Sequence, residues 1–299
     1  MSSRSPTGAR TGRPLGGSVR ETPADLDRLA HDAAEGDRHA LAELCRALQH
    51  PLYRLALRML WNPEDAEDAT QEILVRVVTN LGSFEGRSSF MTWAYAVATR
   101  QLLRTRRRAA ENSVKGAKAF AAVIDAGMGP LPADPAADAQ YQELCTEVRI
   151  SCTHGMLLCL SREVRVAYLL GDLIGMTDRE GAEACGISPA AFRQRLARAR
   201  ATMRCIIAGR CGLVREQNPC RCGRQIASGE RLGIIDRSNL KFARHPSDPD
   251  SLQPDDIEAA ARQLDIMQAF AEVFRSEPRM RAPATVYQGL RQMAPDLFG

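Results

Sequence analysis

No run of apolar residues in this 299-residue chain approaches the length needed to span a bilayer. The first twenty residues, MSSRSPTGARTGRPLGGSVR, hold arginines with no apolar stretch behind them, which excludes a signal peptide. Nine cysteines, an odd number scattered without a secretory signal, do not form a disulfide framework, so the expected compartment is the cytoplasm with most thiols reduced. Net charge is only +4, which argues against a protein coated in cation and for discrete basic patches. There is no nucleotide-binding loop, nucleophile triad or paired-carboxylate site, so the chain is read as a non-enzyme. A hydrophobic share of 44% with 25% charged residues describes an ordinary soluble protein, long enough for two or three small domains.

The most informative stretch runs from Trp61 to Arg108, WNPEDAEDATQEILVRVVTNLGSFEGRSSFMTWAYAVATRQLLRTRRR. Its opening predicts a helix: Asn62 caps, Pro63 suits the first turn, and the following carboxylates favour the positive end of the dipole. Ala66, Ala69, Ile73 and Val77 recur at helical spacing and should face a core, with Asp65, Asp68 and Glu72 as an adjacent acidic stripe. That stripe reads either as a solvated face or as a docking surface for a basic protein. After a Gly/Ser-rich turn with Phe84, Gly86 and Arg87, a second helix places Trp93, Arg100, Arg104 and Arg107 on one face. Phe90, Ala94, Ala98 and Leu102 occupy the inward side. An aromatic among guanidiniums suits opening nucleic acid, since cations neutralise phosphate and a ring stacks on a base. The alternative is a core tryptophan beside a solvated helix end.

In this order the two helices resemble the second conserved region of bacterial sigma factors, in the extracytoplasmic-function (ECF) group of the sigma-70 family. The resemblance implies that Asp65, Asp68, Gln71 and Glu72 meet the clamp of RNA polymerase. It further implies that Phe84, Arg87, Trp93, Arg100, Gln101 and Arg104 open and read the −10 promoter element. At Gln101 the family often carries Asn.

Upstream, residues 1–22 are rich in Gly, Ser, Arg, Pro and Thr and are expected to be disordered, and residues 23–108 form the first domain. Gly36 and Pro51 punctuate the helical pattern from Ala24 to Leu60. Residues 109–139 lose sustained periodicity and read as a flexible linker with a short helix near Phe120. A second domain, 140–208, contains SREVRVAYLLGDLIGMTDREGAEACGISPAAFRQRLARARATMR. Ser161 is placed to cap its first helix, and Thr177 with Glu180 forms a capping box for the second. Gly186 supplies the left-handed turn, and Ser188 with Pro189 starts the third helix, giving a helix-turn-helix. Phe192, Leu196, Ala199 and Met203 back that third helix, while Arg193, Gln194, Arg198, Arg200 and Arg204 lie away from them with no acidic residue among them. Such a helix fits a major groove; the plain alternative is an amphipathic helix with a solvated basic face.

This segment resembles the sigma fourth region, which implies −35 promoter contacts through Ser188, Arg193, Gln194, Arg198, Arg200 and Arg204, and a contact with the polymerase flap. Where the family usually has Ile and Leu in the support helix, this chain has Gly181, Ala184 and Cys185, so looser packing is expected there.

Residues 209–299 form a C-terminal extension. Cys205, Cys211, Cys220 and Cys222 offer soft thiolates for zinc or copper, against the reading of reduced cysteines in a turn. Cysteine-rich C-terminal extensions occur in some sigma factors of this group, which the motif NPCRC resembles. Ile257, Ala260, Leu264, Met267, Ala271 and Phe274 form an apolar stripe, and a shorter helix with Val286, Leu290 and Met293 follows. The stripe packs either within its own domain or as a regulatory flap.

The expected fold is all-α: two small helical domains on a flexible linker plus a helical extension. The expected function is a promoter-specificity subunit whose partners are core RNA polymerase (clamp and flap), promoter DNA and an anti-sigma factor, with no membrane. The competing readings are a helix-turn-helix regulator and a thiol-based metal or redox sensor.

Overall fold

A computed structural model describes residues 23–105, 116–131, 134–135, 139–247 and 265–295. Among these the regular elements are helical, joined by two isolated β-bridges, Cys211 with Cys220 and Ser247 with Met280. The expectation of disorder in residues 1–22 and the calls on Arg106, Arg107 and Arg108 fall outside the described residues.

Four helices build the first unit: α1 (Pro23–Ala34), α2 (Arg38–Leu60), α3 (Pro63–Thr79) and α4 (Phe90–Arg104). Asp37 starts α2 by accepting from the amides of His39 (2.8 Å) and Ala40 (3.1 Å). Asn62 caps α3 at the Asp65 amide (3.1 Å) with Pro63 in the first turn. Between them Trp61 adopts φ +56°, a left-handed conformation that reverses the chain after α2. The expected break at Pro51 does not occur: α2 runs through it as one helix. A mid-helix proline costs about 3 kcal/mol. Complete burial of Leu48, Leu52 and Tyr53 around it offsets that cost. The inward faces read from the sequence are buried as expected: Ala66, Ala69, Ile73 and Val77 on α3, Phe90, Ala94, Ala98 and Leu102 on α4.

The second unit comprises α5 (Ala117–Ala126), α6 (Ala139–Leu158), α7 (Arg162–Tyr168), α8 (Asp178–Cys185) and α9 (Pro189–Ile207). Helix α7 continues into a π-helical turn, Leu169–Ile174, which the sequence did not announce. The helix expected near Phe120 is α5, and it packs against α6 and α9. Ser161 sits at the α7 N-terminus but makes no side-chain cap, whereas the Thr177–Glu180 capping box forms in full. Two arginines at the start of α7 are buried instead of solvated. Arg162 donates to the Leu102 carbonyl (3.2 Å) and to that of Thr105, at the end of α4. Arg165 donates to Leu157 (3.0 Å) and Leu160 (3.2 Å) at the end of α6, and to Met59 at the end of α2. Carbonyls at helix C-termini lack intrahelical donors and carry partial negative charge, so cations there satisfy both needs. These contacts hold the two units together, with α8 lying along α4.

The extension wraps both units. Its described α-helices are α10 (Ile226–Arg231), α11 (Ile266–Arg275) and α12 (Ala284–Met293). Residues Ile257, Ala260 and Leu264 of the apolar stripe lie outside the described residues. Met267, Ala271 and Phe274 are buried on α11, with Phe274 edge-on to Tyr168 of α7 at 6.1 Å. The described part of the stripe, Met267 to Phe274, therefore packs on the chain's own second unit. Glu147 on α6 accepts from the amides of Lys241 (3.0 Å), Phe242 (2.8 Å) and Ala243 (2.7 Å), and Phe242 stacks on His154. Buried Glu277 pairs with Arg58 of α2 (3.5 Å) and accepts from Thr153 of α6. Helix α12 lies on α3.

Burial, with the Arg58 charge adding to it, pushes His154 down to about 3, so the folded protein holds it neutral. Between that value and the ordinary 6.5 the unfolded chain takes up a proton that the folded chain refuses. Its contribution is therefore complete above pH 6.5 and falls by about 1.4 kcal/mol per pH unit below it. Going from pH 6.5 to pH 5, wild type should lose about 2 kcal/mol more than His154→Leu. Urea unfolding of both proteins at the two pH values measures this, and equal losses would refute it.

Candidate nucleic-acid interface

The loop before α4 and its first turn are set by local bonds. Ser89 and Thr92 share a hydroxyl contact (2.9 Å), and Asp27 of α1 accepts the Phe90 amide (2.6 Å). Phe84, Phe90 and Trp93 then form a ring cluster, with centroids 5.1 Å (Phe84–Phe90), 5.8 Å (Phe84–Trp93) and 5.4 Å (Phe90–Trp93) apart. Trp93 stays half-buried, so one side of its ring borders an open cleft of about 190 Å3. Arg100 and Arg104 stand exposed on the cleft, and Arg76 of α3 and Asn80 at its C-terminal cap line its other side. Gln101 is buried there, and its amide donates to Glu72. An aromatic wall beside several guanidiniums and an oriented amide can receive an unstacked base while holding its phosphate. The sequence reading missed Arg76 and Asn80, which join the cleft across the helix pair. Arg87 pairs with Glu85 (2.7 Å) on the loop itself.

On α3 the acidic residues divide. Asp68 and Glu72 are exposed and Asp65 is half-buried. Gln71 donates to the Thr285 carbonyl of α12 (3.2 Å), and Glu67 accepts from the Thr285 hydroxyl (2.7 Å).

The helix-turn-helix is formed by α8, the Gly186 turn (φ +65°) and α9. Ser188 spends its hydroxyl on the Ala191 amide (3.2 Å), which starts α9. The expected loose packing of α8 is not found. Gly181 lies so close to Phe192 that a Cβ there would sit 2.2 Å from the ring. The small residue lets the phenyl ring approach the α8 backbone, and Phe192 is fully buried. Gln194, Arg198 and Arg204 are exposed and project from α9. Arg193 reaches Asp178 (3.4 Å) at the start of α8. Arg200 is held by Asp172 of the π-helical turn through two bonds (3.0 and 2.6 Å), and the bonded carboxylate pushes its pKa up.

Cysteine placement departs from the expected cluster. Cys205 is exposed on α9 and is not among the residues lining the cavity that holds the other three. Cys211, Cys220 and Cys222 instead line a narrow cavity of about 40 Å3 with Cys152 of α6, a residue the sequence reading passed over. Burial in apolar surroundings raises the pKa of all four cavity thiols. Among the described residues no three His, Cys, Asp or Glu side chains are placed to hold a metal ion. The set Cys205, Cys211, Cys220 and Cys222 does not fit zinc or copper. The described helices include none long and apolar enough to cross a membrane.

The family models for Sigma-70 region 2 and Sigma-70, region 4 match residues 44–111 and 150–203, the segments that carry the cleft and the helix-turn-helix. RNA polymerase sigma factor CnrH of Cupriavidus metallidurans is 30% identical over 190 residues, which span 62% of this chain and 96% of that protein. The chain belongs to the sigma-70 family. Its relatives are ECF sigma factors. The ECF factor SigW of Bacillus subtilis is 38% identical over 65 residues, and the probable sigma-C factor of Mycobacterium bovis is 29% identical over 174. The matched segments span 35% of SigW and 44% of the probable sigma factor RfaY of Xanthomonas campestris, but 85% of the M. bovis protein. The solved structure of CnrH in complex with the cytosolic domain of CnrY matches at 22% identity and TM-score 0.44, over 60% of this chain and 95% of that one. In sigma terms, α2 from residue 44 through α4 lies in region 2, and the C-terminal part of α6 through most of α9 lies in region 4. The extension lies beyond both.

Gly181→Ala tests the close packing of the region 4 support helix. Alanine adds up to about 1 kcal/mol of helix propensity, but overpacking against Phe192 costs about 1–3 kcal/mol. The variant should unfold at lower urea than wild type, and an unchanged or higher midpoint would show that the ring shifts freely.

Proposed function

We propose that this chain is an RNA polymerase sigma factor that directs core enzyme to a promoter and helps open it, with no chemistry of its own. The observation that carries this is the pairing, within region 2, of an aromatic-basic cleft on α4 with an acidic face on α3. A protein that binds polymerase and melting DNA together needs both. Asp65, Asp68, Gln71 and Glu72 meet the polymerase clamp. Trp93, Arg100 and Arg104, with Phe84 and Arg87 on the preceding loop, engage the −10 strand, and Glu72 orients Gln101 at the cleft. Arg200, held by Asp172 through two short bonds, serves to brace region 4, whereas Arg193, on one longer contact to Asp178 (3.4 Å), is released more easily to read −35 bases with Gln194 and Arg198, and Arg204 meets phosphate. Residues 23–108 act as the polymerase and −10 domain, 140–208 as the −35 domain, and 209–299 as the added extension. The site of action is the cytoplasm. An anti-sigma factor is a further partner of this type of protein, and its place here is open to the same binding assays.

Run-off transcription with purified core enzyme on a promoter library tests the reading. The chain should yield transcripts that core alone does not, whereas a helix-turn-helix regulator would bind DNA and start none. On promoters so found, Arg193→Ala and Gln194→Ala should each lose about 1–3 kcal/mol of discrimination at a few −35 positions. Arg204→Ala should weaken binding evenly and flatten its salt dependence. A uniform loss in all three variants would remove the base-reading assignment.

A further inference from the structure

Among the described elements outside regions 2 and 4, α12 is held on region 2 by several specific contacts. It lies across α3 and the neighbouring part of α2, with Val286 and Leu290 fully buried. Thr285 bonds both Glu67 and Gln71 of α3. Gly289 brings the α12 backbone so close that a Cβ there would sit 2.7 Å from the Gln71 side chain. Arg46 of α2 covers the Tyr287 ring at 5.3 Å. The segment leading in is fixed too. The Ala282 amide donates to His50 of α2 (3.0 Å), and the Arg281 amide to the Pro246 carbonyl (2.8 Å).

We propose that α12 is a built-in competitor for the polymerase-docking face of α3, so that core enzyme must displace it to bind. The proposal rests on the reading of α3 as that docking face. Gln71 belongs to the docking set, and its amide is spent on α12. Glu67, one turn away, is spent likewise. Asp68 and Glu72 remain exposed beside the covered strip. A polymerase surface approaching Asp68 and Glu72 therefore meets the flank of α12 before it reaches Gln71. The occupant is a ten-residue helix whose buried anchors are the two aliphatic side chains Val286 and Leu290, a size suited to release as a unit. Coupling between two such states acts through differential affinity, since polymerase binds the uncovered form. The extension thus regulates access to core enzyme.

The test compares full-length variants for affinity to purified core RNA polymerase. Leu290→Asp places a charge in the buried seam and frees α12. Gly289→Leu raises helix propensity while clashing with Gln71, so it displaces α12 without melting it. Circular dichroism and thermal melting confirm that the remaining helices persist in each. Both variants should bind core about tenfold tighter than wild type, within the usual range for coupled sites. Asp68→Lys with Glu72→Lys, which leaves the α12 contacts in place, should bind more weakly. If the two release variants bind like wild type while the charge reversals lose affinity, α12 is not a competitor, though α3 is still the docking face. If neither class changes affinity, the docking face is elsewhere and the proposal falls with it.

Discussion

Two guanidiniums at the start of α7 decide how the rest of the molecule is arranged. Arg162 and Arg165 are 4% and 2% exposed, and between them they serve the carbonyl ends of α2, α4 and α6. Leaving such carbonyls buried without donors costs about 1–3 kcal/mol each, and more when a charge is stranded as well. The closed arrangement of regions 2 and 4 is thus a condition for satisfying both the helix ends and the cations. Glu277 adds a second tie, because its carboxylate meets Arg58 from region 2 and Thr153 from the region 4 side. Burial raises the pKa of that carboxyl, which marks the pair as bought at some desolvation cost.

From this closure follows the position of the extension. With α6 beside α2, Glu147 can gather the amides of 241–243, Phe242 can stack on His154, and His245 can bond Tyr53 of α2 (2.7 Å). The Arg281 amide then bonds the Pro246 carbonyl and the Ala282 amide bonds His50 of α2, directly ahead of α12 on α3. On the reading of α3 as the polymerase-docking face, α12 covers part of that face. Here the covering element is part of the same chain, so its effective concentration is fixed and its release depends on contacts spread over both regions.

Much of the two sigma regions was legible in the sequence because their signals are local. Asn62, Thr177 with Glu180, Gly186 and Ser188 mark helix ends by chemistry that acts within four residues. The buried stripes on α3, α4 and α9 follow directly from helical spacing. What stayed hidden depends on distant partners. Arg162 and Arg165 look like the polar start of any helix until the ends of α2, α4 and α6 arrive beside them. Gly181 reads as a weak spot in a support helix until Phe192 fills the space against it. Cys152 sits on an unremarked helix, and only folding sets it beside Cys211, Cys220 and Cys222, while Cys205, next to them in sequence, points elsewhere. Pro51 reads as punctuation, yet core packing carries α2 through it. For the candidate sites, residue types and faces were readable. Which of those residues are already occupied, as Gln71 is by Thr285, Gln101 by Glu72 and Arg200 by Asp172, was not.

The central claim is that polymerase and the extension compete for α3 of a sigma factor. Nine cysteines complicate site-specific thiol labelling, so hydrogen exchange of the unmodified chain is the direct measurement, free and bound to core RNA polymerase. The account predicts that amides of 284–293 lose protection on binding while those of α3 keep or gain it. Undiminished protection of 284–293 in the complex, with α3 protected by polymerase, would contradict it.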